Sequence, residues 1–237
     1  MPNPIAQYLD FANHHASTTP ADIEKLCASV IEHGFHAAFV NATYITQAKK
    51  LLAGKAPVGT VVSFPLGQDT VNAKVAAVNE AVQLGADELD VVPNIGAILA
   101  GQTDVFAQEL TSIVDSAKMP GKPIIVKFIL DPGYFDTLPD KKEKMQMTAR
   151  LIQQAGADYV KIGSGMGPRG PSLEDVAIVR EAVGPDMKIK VAGGVQTYAQ
   201  AKAFIDAGVV RIGTSKAVEI LSGAPAETST QRMPISE

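Results

Sequence analysis

Gly156-Ala157-Asp158-Tyr159-Val160-Lys161-Ile162-Gly163 is the stretch that decides how this chain is read. A helical segment closes on a glycine, one or two small or polar residues follow, and a β-rich apolar run begins. Here the run covers residues 158–162. The same junction stands at Gly34 before residues 37–40, at Gly85 before 88–92 and at Gly208 before 209–213. Each glycine falls where a helix end needs a residue tolerant of positive φ. Each run has the near-continuous apolar character of a strand buried on both faces, as a parallel sheet requires.

Further strands read between these at residues 58–64, 123–130 and 188–192, with 8–12 as the first. Helices are predicted over 22–33 behind Thr19-Pro20, over 71–84, and over 173–183 with Ser172 as N-cap. Eight strands alternating with helices, and no linker between them, predict a single-domain α/β fold, a (β/α)8 TIM barrel spanning residues 1–222. A doubly wound open sheet is the rival architecture. Residues 223–237, rich in Thr, Ser, Pro and Ala, read as a loosely ordered tail.

A chain of 237 residues, 46% of them hydrophobic, is long enough for one such barrel and has a globular composition. The net charge of −4 is mild, and no basic patch or stripe marks a nucleic-acid partner. No window approaches a membrane span, and the first ten residues lack the basic and apolar regions of a signal peptide. Cys27 is the single cysteine, set among Ile23, Leu26, Val30 and Ile31 on one helical face, so it reads as core packing. A lone thiol fits a reducing cytoplasm.

A barrel of this kind keeps its active site at the C-terminal ends of the strands. The polar residues inside the strand runs are therefore the candidates: Asp10, Asp90, Lys127, Lys161, Lys190 and Arg211. A charge among apolar residues is costly unless paired. One of them alone fits a structural ion pair, but three lysines with fewer carboxylates suggest more. Low dielectric and neighbouring cations both depress a lysine pKa, and a neutral amine attacks carbonyls. The pattern points to Schiff-base chemistry on a carbonyl compound.

A second theme is glycine. Gly163-Ser164-Gly165, Gly193-Gly194 and Gly213-Thr214-Ser215 follow the last three strands, where barrel loops often cradle phosphate through backbone N–H groups. Ordinary tight turns are the plainer reading of the same glycines. No metal and no other cofactor is expected. His33 and His36 flank Gly34 at the wrong end of the barrel, and the adjacent pair His14-His15 does not make a metal site alone.

In order and spacing, five short motifs resemble deoxyribose-phosphate aldolase over about residues 9–215. They are Val62-Ser63-Phe64-Pro65-Leu66-Gly67, the run from Glu88-Leu89-Asp90 through Pro93-Asn94-Ile95-Gly96-Ala97, Tyr159-Val160-Lys161, Lys190-Val191-Ala192-Gly193-Gly194 and Arg211-Ile212-Gly213-Thr214-Ser215. The resemblance implies a class I aldolase that reversibly cleaves 2-deoxy-D-ribose 5-phosphate to D-glyceraldehyde 3-phosphate and acetaldehyde. By position it implies Lys161 as the Schiff-base lysine, Lys190 as the lysine that lowers its pKa, and Asp90 as the proton-relay carboxylate. Asp10, Lys127, Gly165, Gly193, Gly194, Gly213, Ser215 and Lys216 are the residues expected to bind substrate.

The chain departs from the family at the substrate's far end. Ile162-Gly163-Ser164-Gly165-Met166 stands where the family usually has Thr-Ser-Thr-Gly-Lys, and Gln196 stands where it has arginine. Lys216 and Arg169 are the cations expected to compensate. Asp10-Phe11-Ala12-Asn13-His14-His15 replaces the usual Asp-His-Thr-x-Leu-Lys, and the family's C-terminal tyrosine is not visible. A related aldolase with another hydroxy-aldehyde or ketose substrate therefore stays open. So do a phosphate-binding isomerase or synthase and a non-catalytic binding barrel. Besides a small aldehyde or sugar phosphate, a further copy of the chain is an expected partner, since such barrels often assemble.

Overall fold

A computed structural model describes residues 4–118 and 123–224. The elements alternate along the chain: β1 (Leu9–Asn13), α1 (Pro20–His33), β2 (Ala37–Val40), α2 (Ile45–Leu52), β3 (Val58–Val62), α3 (Val71–Leu84), β4 (Glu88–Val91), α4 (Ile95–Leu99), α5 (Thr103–Ala117), β5 (Ile125–Leu130), α6 (Lys141–Gln154), β6 (Tyr159–Ile162), α7 (Leu173–Val183), β7 (Lys188–Ala192), α8 (Tyr198–Asp206), β8 (Arg211–Thr214) and α9 (Ala217–Ser222). Every neighbouring pair of strands is parallel, and β8 pairs with β1 through Asp10 and Gly213, so the sheet closes into a barrel. Closure disposes of the open-sheet alternative. The expected tail lies outside the described residues apart from 223 and 224.

The junctions form for the reasons their sequence suggests. Gly34 and Gly85 cap α1 and α3 in left-handed backbone, at φ 67° and 107°. Gly156 and Gly208 fall one residue beyond the caps of α6 and α8, again with positive φ. The aspartates after two of these glycines share a task. Asp87 Oδ2 accepts from the N–H of Val58 and Asp158 Oδ2 from that of Val126, each at 2.8 Å, which satisfies a donor where the preceding strand starts. Thr19 and Ser172 head α1 and α7 with reciprocal capping boxes, and Pro20 opens α1.

The main core lies between the barrel and its helices, with Leu26, Val30, Leu89, Val126, Phe128, Val160 and Ile212 among its members. Alternate strand residues point the other way, into the barrel. Phe39 is the largest apolar side chain among those that meet the interior lysines, and Gly59 of β3 makes room for it. A Cβ at Gly59 would fall 2.2 Å from the Phe39 ring.

Candidate active site

Alternation along the strands turns Asp10 of β1, Glu88 and Asp90 of β4, Lys127 of β5, Lys161 of β6 and Lys190 of β7 into the barrel. All six are buried. The register sets Asp90 beside Lys127 and Lys161 beside Lys190. The six charges form one chain of contacts. Lys161 Nζ and Lys190 Nζ each stand 2.8 Å from Asp90 Oδ2. Lys190 also reaches Asp10 Oδ2 at 2.7 Å, and Lys127 reaches Asp90 Oδ1 at 3.1 Å and Glu88 Oε2 at 2.5 Å. His36 Nε2 closes the far side of Glu88 at 3.1 Å. The Phe39 ring lies under Lys190, whose Nζ is 3.7 Å from the ring centroid, a cation–π contact.

Glu88 corrects the charge count read from the sequence. It opens β4, two residues before Asp90, and so shares its inward face. With Asp10, Glu88 and Asp90 the interior holds three carboxylates for three lysines. The lysines are therefore not in surplus, and burial rather than repulsion leads the effect on Lys161. Burial, then the positive charges of Lys190 and Lys127, outweigh the pull of Asp90 and bring Lys161 down to about 8. A pKa near 8 leaves roughly a tenth of the amine neutral at pH 7, several hundred times more than an ordinary lysine. At Asp90 burial works upward but loses to the three ammonium groups, and the carboxylate is held well below its usual range. Glu88 comes down to about 2, because Lys127, His36 and Lys190 outweigh its burial. For Lys127 burial is likewise overcome, by Asp90, Glu88 and Asp10, and its pKa is raised.

Above this network opens a cleft of about 230 Å³. Asp90, Lys161 and Lys190 form its floor, and Gly165, Gly193, Gly194, Gly213, Ser215 and Lys216 line the other end. Asp10 and Lys127, expected at the substrate, do not line it. They lie beneath, fully buried, and hold Lys190 and Asp90 in place. Arg211 heads β8, and its guanidinium turns out of the barrel to the carbonyls of Gln7 and Val210.

The glycine loops are packed backbone on backbone. Gly193 has φ 95°, and a Cβ there would stand 2.7 Å from Cα of Gly165. At Gly213 a Cβ would crowd Cε of Lys190 at 3.2 Å. Several loop N–H groups are already engaged: Met166 with Ser164 Oγ, Gln196 with Gln200 Oε1, and Lys216 with Thr214 Oγ1, each at 2.9 Å. The compensating cations are engaged too. Lys216 Nζ bonds Glu219 at 2.8 Å. Arg169 is locked between Asp136 and Asp175 with four hydrogen bonds of 2.6–3.0 Å, and does not line the cleft.

Besides Glu88, two features escaped the sequence reading. Asp131, just past β5, accepts a hydrogen bond from Ser164 Oγ and so pins the loop after Lys161. Asp131 pushes against Gly167, where a Cβ would meet its carboxylate at 2.3 Å. A short polar residue after an apolar strand was the available signal. The other is Phe64, which lines the cleft and packs at a tilt against His14.

Comparison with known proteins agrees with this geometry. The model of the DeoC/LacD family aldolases matches residues 5–216. The chain is 41% identical over 223 residues to deoxyribose-phosphate aldolase of Thermococcus gammatolerans, covering 93% of this chain and 96% of that one. The Geobacillus enzyme of the same name is 39% identical, covering 97% and 100%. Among solved structures, the aldolase QR15 superposes with a TM-score of 0.85 at 30% identity, covering 92% and 95%. The deoxyribose-phosphate aldolase of Aeropyrum pernix, described as a unique tetramer, gives 0.83 at 26% identity, covering 94% and 91%. The chain belongs to the DeoC/LacD family of aldolases and is a class I aldolase, a carbon–carbon lyase.

Proposed function

We propose that this aldolase reversibly cleaves 2-deoxy-D-ribose 5-phosphate to D-glyceraldehyde 3-phosphate and acetaldehyde, with Lys161 as the Schiff-base nucleophile. The observation that carries the assignment is a single buried amine of depressed pKa at the floor of the cleft, 2.8 Å from a carboxylate that a second lysine shares. Neutral Lys161 Nζ adds to the C1 carbonyl, and loss of water gives an iminium. Removal of the C3 hydroxyl proton lets the C2–C3 electron pair move onto the iminium carbon and nitrogen, which releases glyceraldehyde 3-phosphate and leaves an enamine. Protonation at C2 and addition of water then free acetaldehyde and the amine. Asp90, kept ionised by Lys127 and Lys190, stabilises the cationic iminium on Lys161 and links it to Lys190 for proton transfer.

Trapping tests this reading. The protein is incubated with acetaldehyde, reduced with borohydride, and mapped by peptide mass spectrometry beside Lys161→Ala. A two-carbon adduct on Lys161, absent from the variant, is the expected result. An unmodified Lys161 in the wild-type chain would count against it.

A second reading, an aldolase for a related hydroxy-aldehyde with an uncharged far end, is favoured by one observation. The cations expected at the phosphate, Lys216 and Arg169, are each committed to carboxylates. Kinetics on deoxyribose with and without the phosphate separate the two. The tetrameric relative supports assembly of this chain into a homo-oligomer, and the lone buried thiol supports a cytoplasmic setting. Among the described residues no helix is long and apolar enough to cross a membrane.

A further inference from the structure

The floor of the cleft accounts for the carbonyl chemistry, but one wall carries a polar group that this chemistry does not use. His14 follows β1, half-buried, and lines the cleft with Asp90, Lys161 and Lys190. Its ring is held from two sides. Nδ1 lies 3.3 Å from Asn41 Oδ1, and the ring packs on Phe64 with centroids 5.5 Å apart. With the amide oxygen as acceptor the proton sits on Nδ1, so Nε2 keeps its lone pair. Among the described residues Nε2 has no hydrogen-bond partner.

A histidine that only filled space would need Phe64 and no more. This one is also oriented by Asn41, and with Nδ1 donating to that amide oxygen it offers Nε2 as an acceptor beside a cleft whose floor holds ammonium donors. Such an acceptor matches a hydroxyl, the one donor that an aldol product must carry beside its carbonyl carbon chain. Burial, followed by the charges of Lys161 and Lys190, brings His14 down to about 4, so the ring stays an acceptor throughout the neutral range.

We propose that His14 is a specificity-determining residue whose Nε2 accepts a hydrogen bond from a hydroxyl of the substrate held as an imine on Lys161. The proposal rests on the Schiff-base reading above and adds the group that distinguishes a hydroxylated chain from a bare aldehyde. Asn41 is the positioning residue, acting through the ring.

The test compares a probe that has no hydroxyl with one that has. His14→Leu and His14→Gln are assayed for borohydride trapping of acetaldehyde, and for cleavage of deoxyribose 5-phosphate and deoxyribose. Trapping by His14→Leu at the wild-type rate is expected, with kcat/KM for cleavage down roughly 10-fold, the scale of one lost neutral hydrogen bond. His14→Gln, which returns an acceptor near the Nε2 position, is expected to recover most of that loss. Cleavage by His14→Leu at the wild-type rate overturns the proposal. Equal losses in trapping and cleavage also overturn it, since they mark a merely structural role. Failure of the wild-type chain to trap acetaldehyde removes the Schiff-base reading and this proposal together. Trapping without cleavage of either sugar refutes the hydroxyl contact with these substrates while leaving the Schiff base intact.

Discussion

One end of the cleft is made of charged side chains on strands, and the other of backbone in loops. Around Lys161, six ionisable groups sit on five adjacent or facing strands whose register fixes every distance. Around Gly165, Gly193 and Gly194, the chain relies on close backbone approach, and its nearby cations are turned to Glu219, Asp136 and Asp175. On the function proposed above, the difference separates chemistry from recognition. A buried network tolerates no half-measures, because removing one partner strands another charge in low dielectric. A loop built on close backbone approach between glycines can change its ligand without disturbing the floor.

The contrast is broken most sharply at Lys161. Lys161→Ala should abolish cleavage, with a loss of about 10⁴-fold or more in kcat, since it removes the amine of depressed pKa at the floor of the cleft. In the wild-type chain kcat/KM should rise with pH through about 8, as the free Lys161 amine loses its proton. A profile flat from pH 6 to 10 would separate the rate from this amine.

Lys190→Met comes next. It leaves Asp10 and Asp90 short of a cation, so a stability loss of about 3–5 kcal/mol is expected by denaturant titration. It should also move the rising limb of the pH profile upward. Lys190 depresses Lys161 by repulsion, and removing that charge makes the protonated amine easier to keep. A limb that moved down instead would mean that loss of Lys190 acts on Lys161 through something other than its charge.

These strand positions are also where the sequence was most legible. A lysine or aspartate inside an apolar run is improbable unless paired, and the alternation of a strand says which such residues share an interior. Asp90, Lys161 and Lys190 could be picked out on that ground. Glu88 was hidden because it begins its strand, where a polar residue looks ordinary. The same reasoning placed Asp10 and Lys127 inside the barrel but not their depth, since depth depends on stagger between strands rather than on any one strand's pattern. The partners of Lys216 and Arg169 were not legible. They are set by loop and helix-end geometry, where one rotamer decides whether a cation faces ligand or carboxylate.

At the glycine end a gain is easier to build than a loss. Gln196 lines the cleft at the position where the resemblance read from the sequence expects an arginine. Gln196→Arg should therefore raise preference for the phosphorylated over the unphosphorylated sugar by roughly 10-fold, the lower range for one charge-assisted hydrogen bond. The readout is the ratio of the two kcat/KM values, which cancels any effect on the shared floor. No change in that ratio would mean that the far end is shaped against phosphate by more than missing charge.

The smallest effect should come from Lys216, although it lines the cleft. Its amine is exposed and already bonded to Glu219 three residues along, so a ligand phosphate has to compete with a carboxylate for it. Exposed pairs of this kind contribute about 0–1 kcal/mol, and breaking one should leave the fold's stability almost unmoved. Lys216→Ala is expected to change KM for the phosphorylated sugar by less than about 3-fold, with kcat unaffected. Glu219→Ala sharpens the same point from the other side, because it frees the amine while keeping its charge. If that variant lowers KM for the phosphorylated sugar and leaves the unphosphorylated one alone, Lys216 is a phosphate ligand held in check by its neighbour. If neither variant moves either constant, the far end of this cleft recognises its substrate without a lysine.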